Sequence, residues 1–142
     1  VSEFAEWHGL RTLLVVAKDG IDARNVAEVL GLGLEMLLDG SGGEWGPGTL
    51  AWNFSEEPEE ELEASVLRLV AHVRSRLGAV HELLRDGHAV HVDVVGMVET
   101  GSTMTVAPEL LAELASLGVP LTFTALSGVG APEADPLDWL DG

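Results

Sequence analysis

The stretch from Pro58 to Asp86 constrains this chain more than any other part of it. Leu62, Val66, Leu69, Val70, Val73, Leu77, Val80 and Leu84 recur at steps of three and four, which gathers them on one face of a helix. A helix with one apolar stripe must lay that stripe on a second layer. The spacing predicts one long helix here. Glu56 to Glu63 crowds acids around its first turns, where the helix dipole favours negative charge, and Gly87 suits the C-terminal cap. Gly78 lies inside the stripe and marks an expected bend or close contact.

Strands on both sides supply the second layer. Leu10 to Ala17 reads as a buried strand ended by the turn residues Asp19-Gly20. Asp22 is placed to cap a short helix carrying Val26, Val29 and Leu30, with Gly31 or Gly33 stopping it. Leu34 to Leu38 reads as a short strand. Residues Asp39 to Gly48 hold five glycines and Pro47 and read as a loop. Thr49 to Ser55 alternates, with Leu50, Trp52 and Phe54 pointing one way. In the strand His88 to Val98, Val90, Val92 and Val94 share one face, and His91, Asp93 and Val95 the other. Glu99 to Thr105 reads as a polar turn or hairpin. Pro108 suits the first turn of a helix that runs through Leu110, Leu111, Leu114 and Leu117 to Gly118, and Leu121 to Leu126 is a last strand.

The expected order is β-α-β-β-α-β-α-β. It predicts an α+β fold with a mixed or largely antiparallel sheet and helices on one face. Val26 to Gly33 resembles Leu111 to Gly118, so two related strand–helix–strand halves are an open arrangement. Residues 1–126 are expected to form a single α/β domain, and 127–142 an acidic Gly/Pro-rich C-terminal tail.

Charge narrows the function classes. The 142 residues include 24 acids against 7 Lys and Arg, a net charge of −17. That balance excludes most nucleic-acid binders, which need basic patches, and disfavours anionic membranes. It speeds encounter with a basic partner. No cysteine is present, which removes disulfides, zinc–thiolate sites and thiol nucleophiles and fits a reducing, cytoplasmic setting. The longest apolar runs, such as Leu13 to Ala17, fall far short of the roughly 20 residues of a membrane span. Val1 to Trp7 carries Glu3 and Glu6 and no basic residue, so it does not read as a signal peptide, although a chain beginning at Val1 leaves an earlier trimmed segment open.

Candidate sites are few. His91 and Asp93 stand two apart on a strand and so point the same way, the arrangement of two metal ligands; solvated residues on an exposed sheet face have the same pattern. His72 and His81 lie nine apart on the long helix and fit its surface better than a catalytic pair. Ser102, Thr103 and Thr105 have no base beside them in the sequence and fit a turn. The Gly40 to Gly48 loop lacks the Lys-Ser/Thr ending of a phosphate loop and leads into no helix. Glu57, Glu59 and Glu60, in the acidic run at the start of the long helix, either form a solvated helix start or receive a basic surface. Trp45, on the glycine-rich loop, and Trp139, in the acidic–hydrophobic stretch Asp135 to Asp141, either pack on their own domain or anchor a partner. No cofactor is expected.

Several segments carry a family likeness: Val29-Leu30-Gly31-Leu32, Trp52-Asn53-Phe54-Ser55, the helical run Leu62 to Leu84, and Pro108 to Gly118. Together they resemble a bacterial family, domain of unknown function 4279, over about residues 10–126. Leu121 to Leu126 departs from that family's more aromatic last strand and keeps only Phe123. The resemblance implies no defined activity. It implies an immunity or accessory protein in a bacterial toxin neighbourhood.

The leading expectation is a non-enzymatic acidic protein that masks a basic protein partner such as a toxin. The alternatives are an accessory domain binding a small molecule or peptide in a biosynthetic pathway, and a metal-dependent enzyme using His91 and Asp93.

Overall fold

The computed structural model describes residues 6–38, 48–57 and 60–127. Strand β1 is His8–Ala17, β2 is Thr49–Asn53, β3 is Ala89–Val98 and β4 is Leu121–Ser127. They form one sheet in the order β2-β1-β3-β4. β1 pairs antiparallel with β2 and β3, while β3 and β4 are parallel. The fold is α+β with a mixed sheet, as the sequence predicts. The two similar sequence blocks sit in differently built units: one lies between antiparallel strands, the other leads into a parallel strand.

Helix α1, Ala23–Leu30, begins where expected. Asp22 Oδ1 accepts from the Arg24 and Asn25 N–H groups at 3.0 and 3.3 Å. It stops at Gly31, which takes the left-handed conformation (φ 67°). A side chain at Gly31 would also collide with the Arg76 guanidinium, so this glycine serves both the cap and a close approach.

The long helix is two helices. α2 is Leu62–Ser75 and α3 is Leu77–Arg85. The break falls at Arg76 (φ −129°, ψ 27°), not at Gly78, where an added Cβ would meet nothing within 4 Å. The break rephases the apolar stripe. Val80 and Leu83 are buried, whereas Leu84, which continues the unbroken stripe, is exposed. α2 packs on β1 and on α4 (Pro108–Ala115), and α3 on β3 and α1.

The strand expected at Leu34 to Leu38 is mostly absent. Leu34–Met36 forms one turn of 3-10 helix, and only its exit pairs with the sheet. Leu37 bridges Trp52, and the Leu38 N–H donates to the Ala51 carbonyl at 2.9 Å. The run Leu-Glu-Met-Leu-Leu has the apolar character of a strand but no β-branched residue, and its residue types favour helical turns.

The main core lies on the face of the sheet that carries the helices. Leu14, Val16, Trp52 and Val92 are buried there with Val66, Leu69, Val70 and Val73 of α2. On the other face Leu13, Val15, Ala51 and Val95 form a smaller buried cluster, with Leu38 packed against it. That face is therefore not simply solvated: its centre is apolar and buried.

Candidate functional site

The two edges of the sheet differ, and the cleft lies at the β2 edge. The exit of the 3-10 turn runs antiparallel to β2 beside Ala51 and Trp52, which sets Glu35 and Met36 on the side where the chain leaves β2 past Asn53. A cleft of about 530 Å³ opens there. Its apolar wall is Met36, Leu37, Leu38 and Phe54, and its polar residues are Glu35, Asn53, Ser55, Glu56 and Arg68. A second cleft of about 510 Å³ shares Met36, Phe54 and Arg68 with the first and extends along α2 past Ala71 and His72.

Arg68 organises this region. From α2 it donates to the Phe54 carbonyl, to Glu60 Oε1 at 2.8 Å and to Glu60 Oε2 at 3.3 Å. Glu56 lies 3.5 Å from the same guanidinium. The chain between β2 and α2 is thus tied to the helix by one side chain. The hydrogen bond from Arg68 holds the Glu60 carboxyl below the ordinary carboxylate range, and the hydrogen bond to Glu60 raises Arg68 above the ordinary guanidinium value. Ser55 closes the turn, its N–H donating to Asn53 Oδ1 at 3.0 Å and its Oγ accepting from the Thr12 N–H at 3.1 Å.

Two further side chains fix the walls. His72 Nε2 lies 2.7 Å from the Leu30 carbonyl at the end of α1, and its ring tilts against Phe54 with centroids 5.8 Å apart. Glu35 folds back over Gly33, and any side chain at Gly33 would occupy the place of its carboxylate. Glu35 has no cationic partner among the described residues, so its charge is uncompensated at the cleft.

The sequence candidates divide. Glu57 is exposed beside Glu56, while Glu60 is committed to Arg68 and largely shielded. Trp45, Glu59 and Trp139 lie outside the described residues. His91 and Asp93 do share one face of β3. Asp93 is buried, and both of its carboxylate oxygens accept from Thr124 Oγ1, at 2.9 and 3.0 Å. Among the described residues no group of three His, Cys, Asp or Glu side chains is arranged to hold a metal ion. Ser102 is engaged in its own turn: its N–H donates to the Glu99 carbonyl at 2.8 Å and its Oγ accepts from the Glu99 N–H at 3.1 Å.

Sequence reading missed Glu35, Glu56 and Arg68 as a set. Arg68 was the available signal, the first cation after a run of acids. Its partners precede the helix, so no helical spacing connects them.

Among the described residues no helix is long and apolar enough to cross a membrane. No family model, curated protein or solved structure matches the chain.

Proposed function

We propose that this chain is a non-enzymatic binding protein that masks a basic protein partner, and that it takes the partner's cationic side chains into the cleft beside β2. The observation that carries this reading is the pairing of an apolar wall, Met36, Leu37 and Phe54, with the uncompensated carboxylate of Glu35 and the half-compensated one of Glu56. A lysine or arginine has matching chemistry: an aliphatic stem for the wall and a charged head for the rim. The net charge of −17 attracts such a partner over distance, and the cleft supplies the place where it docks. The exposed Glu57 extends the acidic rim. A toxin masked by an immunity protein is the concrete form of the proposal. The family resemblance defines no activity, so the reading rests on charge and on the cleft.

The test uses a fluorescent peptide rich in lysine and leucine. Two double variants remove the same charge, Glu35→Gln with Glu56→Gln at the cleft, and Glu82→Gln with Asp86→Asn around the end of α3. The cleft pair should weaken binding about five- to tenfold and the distant pair less than about twofold. Equal losses would show that bulk charge alone attracts the peptide and would remove the cleft from the proposal. Absence of binding even at low salt would sink the basic-partner reading itself.

A further inference from the structure

We propose that the free edge of β4 is a self-association surface, where a second copy of this chain adds its own β4 antiparallel and continues the sheet across a two-fold axis. β4 is the last strand in the sheet order. The carbonyl of Pro120 accepts from the Val92 N–H at 2.9 Å, so Pro120 and the alternate residues after it turn their peptide groups toward β3. The intervening residues Leu121, Phe123 and Ala125 therefore turn their N–H and C=O groups outward. Among the described residues nothing pairs with those groups.

Bare edges of this kind are normally guarded by a lysine, a proline, a bulge or a covering element. From Leu121 to Ser127 there is no charged residue and no proline. Apolar side chains flank the edge on both faces. Phe123 is 42% exposed on the side of the helices, and Leu126 is 45% exposed on the other.

Charge identifies the occupant. No charged residue stands between Glu113 and Glu133, in a chain whose net charge is −17. Along β4 itself a basic partner finds no carboxylate to pair with. Two copies repel one another over most of their surfaces, and this edge is where they approach with least repulsion. A two-fold axis sets identical edges antiparallel, so each copy supplies the hydrogen-bond partners that the other lacks. The opposite edge is unsuited, because Leu37 and Leu38 already occupy part of it.

The test is sedimentation equilibrium of the whole chain over rising concentration, at low and at physiological salt. A reversible dimer should appear and should tighten as salt rises, because screening removes the repulsion between copies. Ala125→Pro removes an outward N–H without touching the β3 ladder, and Phe123→Lys charges the edge through an exposed position. Each should weaken the dimer about tenfold or more while the thermal transition stays cooperative. If Ala125→Pro does not fold, Phe123→Lys decides alone. A wild-type chain that stays monomeric at the highest concentration in physiological salt would overturn the proposal. So would a folded variant that dimerises as tightly as wild type. Neither result bears on the cleft, which lies at the other end of the sheet.

Discussion

The two edges of the sheet present opposite chemistry. At β2 the edge is partly closed by Leu37 and Leu38, and the gap beyond them is lined by Glu35, Glu56 and Arg68. Among the described residues the β4 edge is unpaired, carries no charged side chain from Leu121 to Ser127, and is flanked by exposed Phe123 and Leu126. One edge uses side-chain charge around an apolar wall. The other offers backbone groups with no charge at all. The contrast teaches that a net charge of −17 describes the molecule poorly. What a partner meets depends on the edge, and salt should act on the two in opposite directions: it weakens cation binding at the first and strengthens self-pairing at the second.

The largest effect that bears on this contrast comes from adjacent proline substitutions. Thr124→Pro removes an N–H that faces β3 and also takes the hydroxyl from buried Asp93. It should cost about 2–4 kcal/mol in urea unfolding, the scale of a lost ladder bond plus an orphaned buried acceptor. Ala125→Pro should cost less than about 1 kcal/mol, because its N–H faces outward. Similar costs for the two would mean that the outward edge is not free.

Arg68→Met comes next and acts on the other edge. It leaves the Phe54 carbonyl without its donor and the Glu60 carboxylate with only the Glu56 N–H at 3.4 Å, while methionine keeps much of the volume. A loss of about 1–2 kcal/mol is expected, reduced from a fully buried network because Arg68 is partly exposed. The same pair sets a pH dependence. Glu60 is held below its ordinary range in the folded chain, so its contribution is present above the unfolded value and is lost as pH falls through the folded one. NMR titration of the Glu60 side chain should show the depressed value in wild type and a return toward the ordinary range in Arg68→Met. No difference between the two would dissociate Glu60 from Arg68.

Gly33→Ala is the smallest perturbation. Its backbone conformation suits alanine (φ −79°), but the new methyl group displaces the Glu35 carboxylate. Stability should change by less than about 0.5 kcal/mol, and affinity for the lysine-rich peptide should fall about two- to fivefold, the scale of one exposed charge contact. Unchanged affinity would remove Glu35 from the binding rim.

β1 to β4, the short helices and their caps were legible because each depends on nearby residues, whereas the strand read at Leu34 to Leu38 is a 3-10 turn. Asp22 caps the helix that it precedes, Pro108 opens the one that it begins, and the alternation of Val90 and Val92 marks the face that the helices cover. Features set by distant residues were not legible. The break at Arg76 serves neighbours on two different strands, and the burial of Asp93 depends on a strand some thirty residues away. The cleft is the clearest case. Glu35, Glu56 and Arg68 belong to three separate segments, brought together only when Leu37 and Leu38 join the edge of β2. Within the acidic run, Glu60 is already paired to Arg68, whereas Glu56 lines the cleft.

The most direct measurement is an NMR titration of the labelled chain with the lysine-rich peptide, following backbone amides at a protein concentration where it is monomeric. The expected shifts cluster at residues 35–38, at 53–56 and around Arg68, with 121–127 unaffected. Shifts spread evenly over the exposed acids, or centred on 121–127, would contradict a cation-binding cleft at the β2 edge.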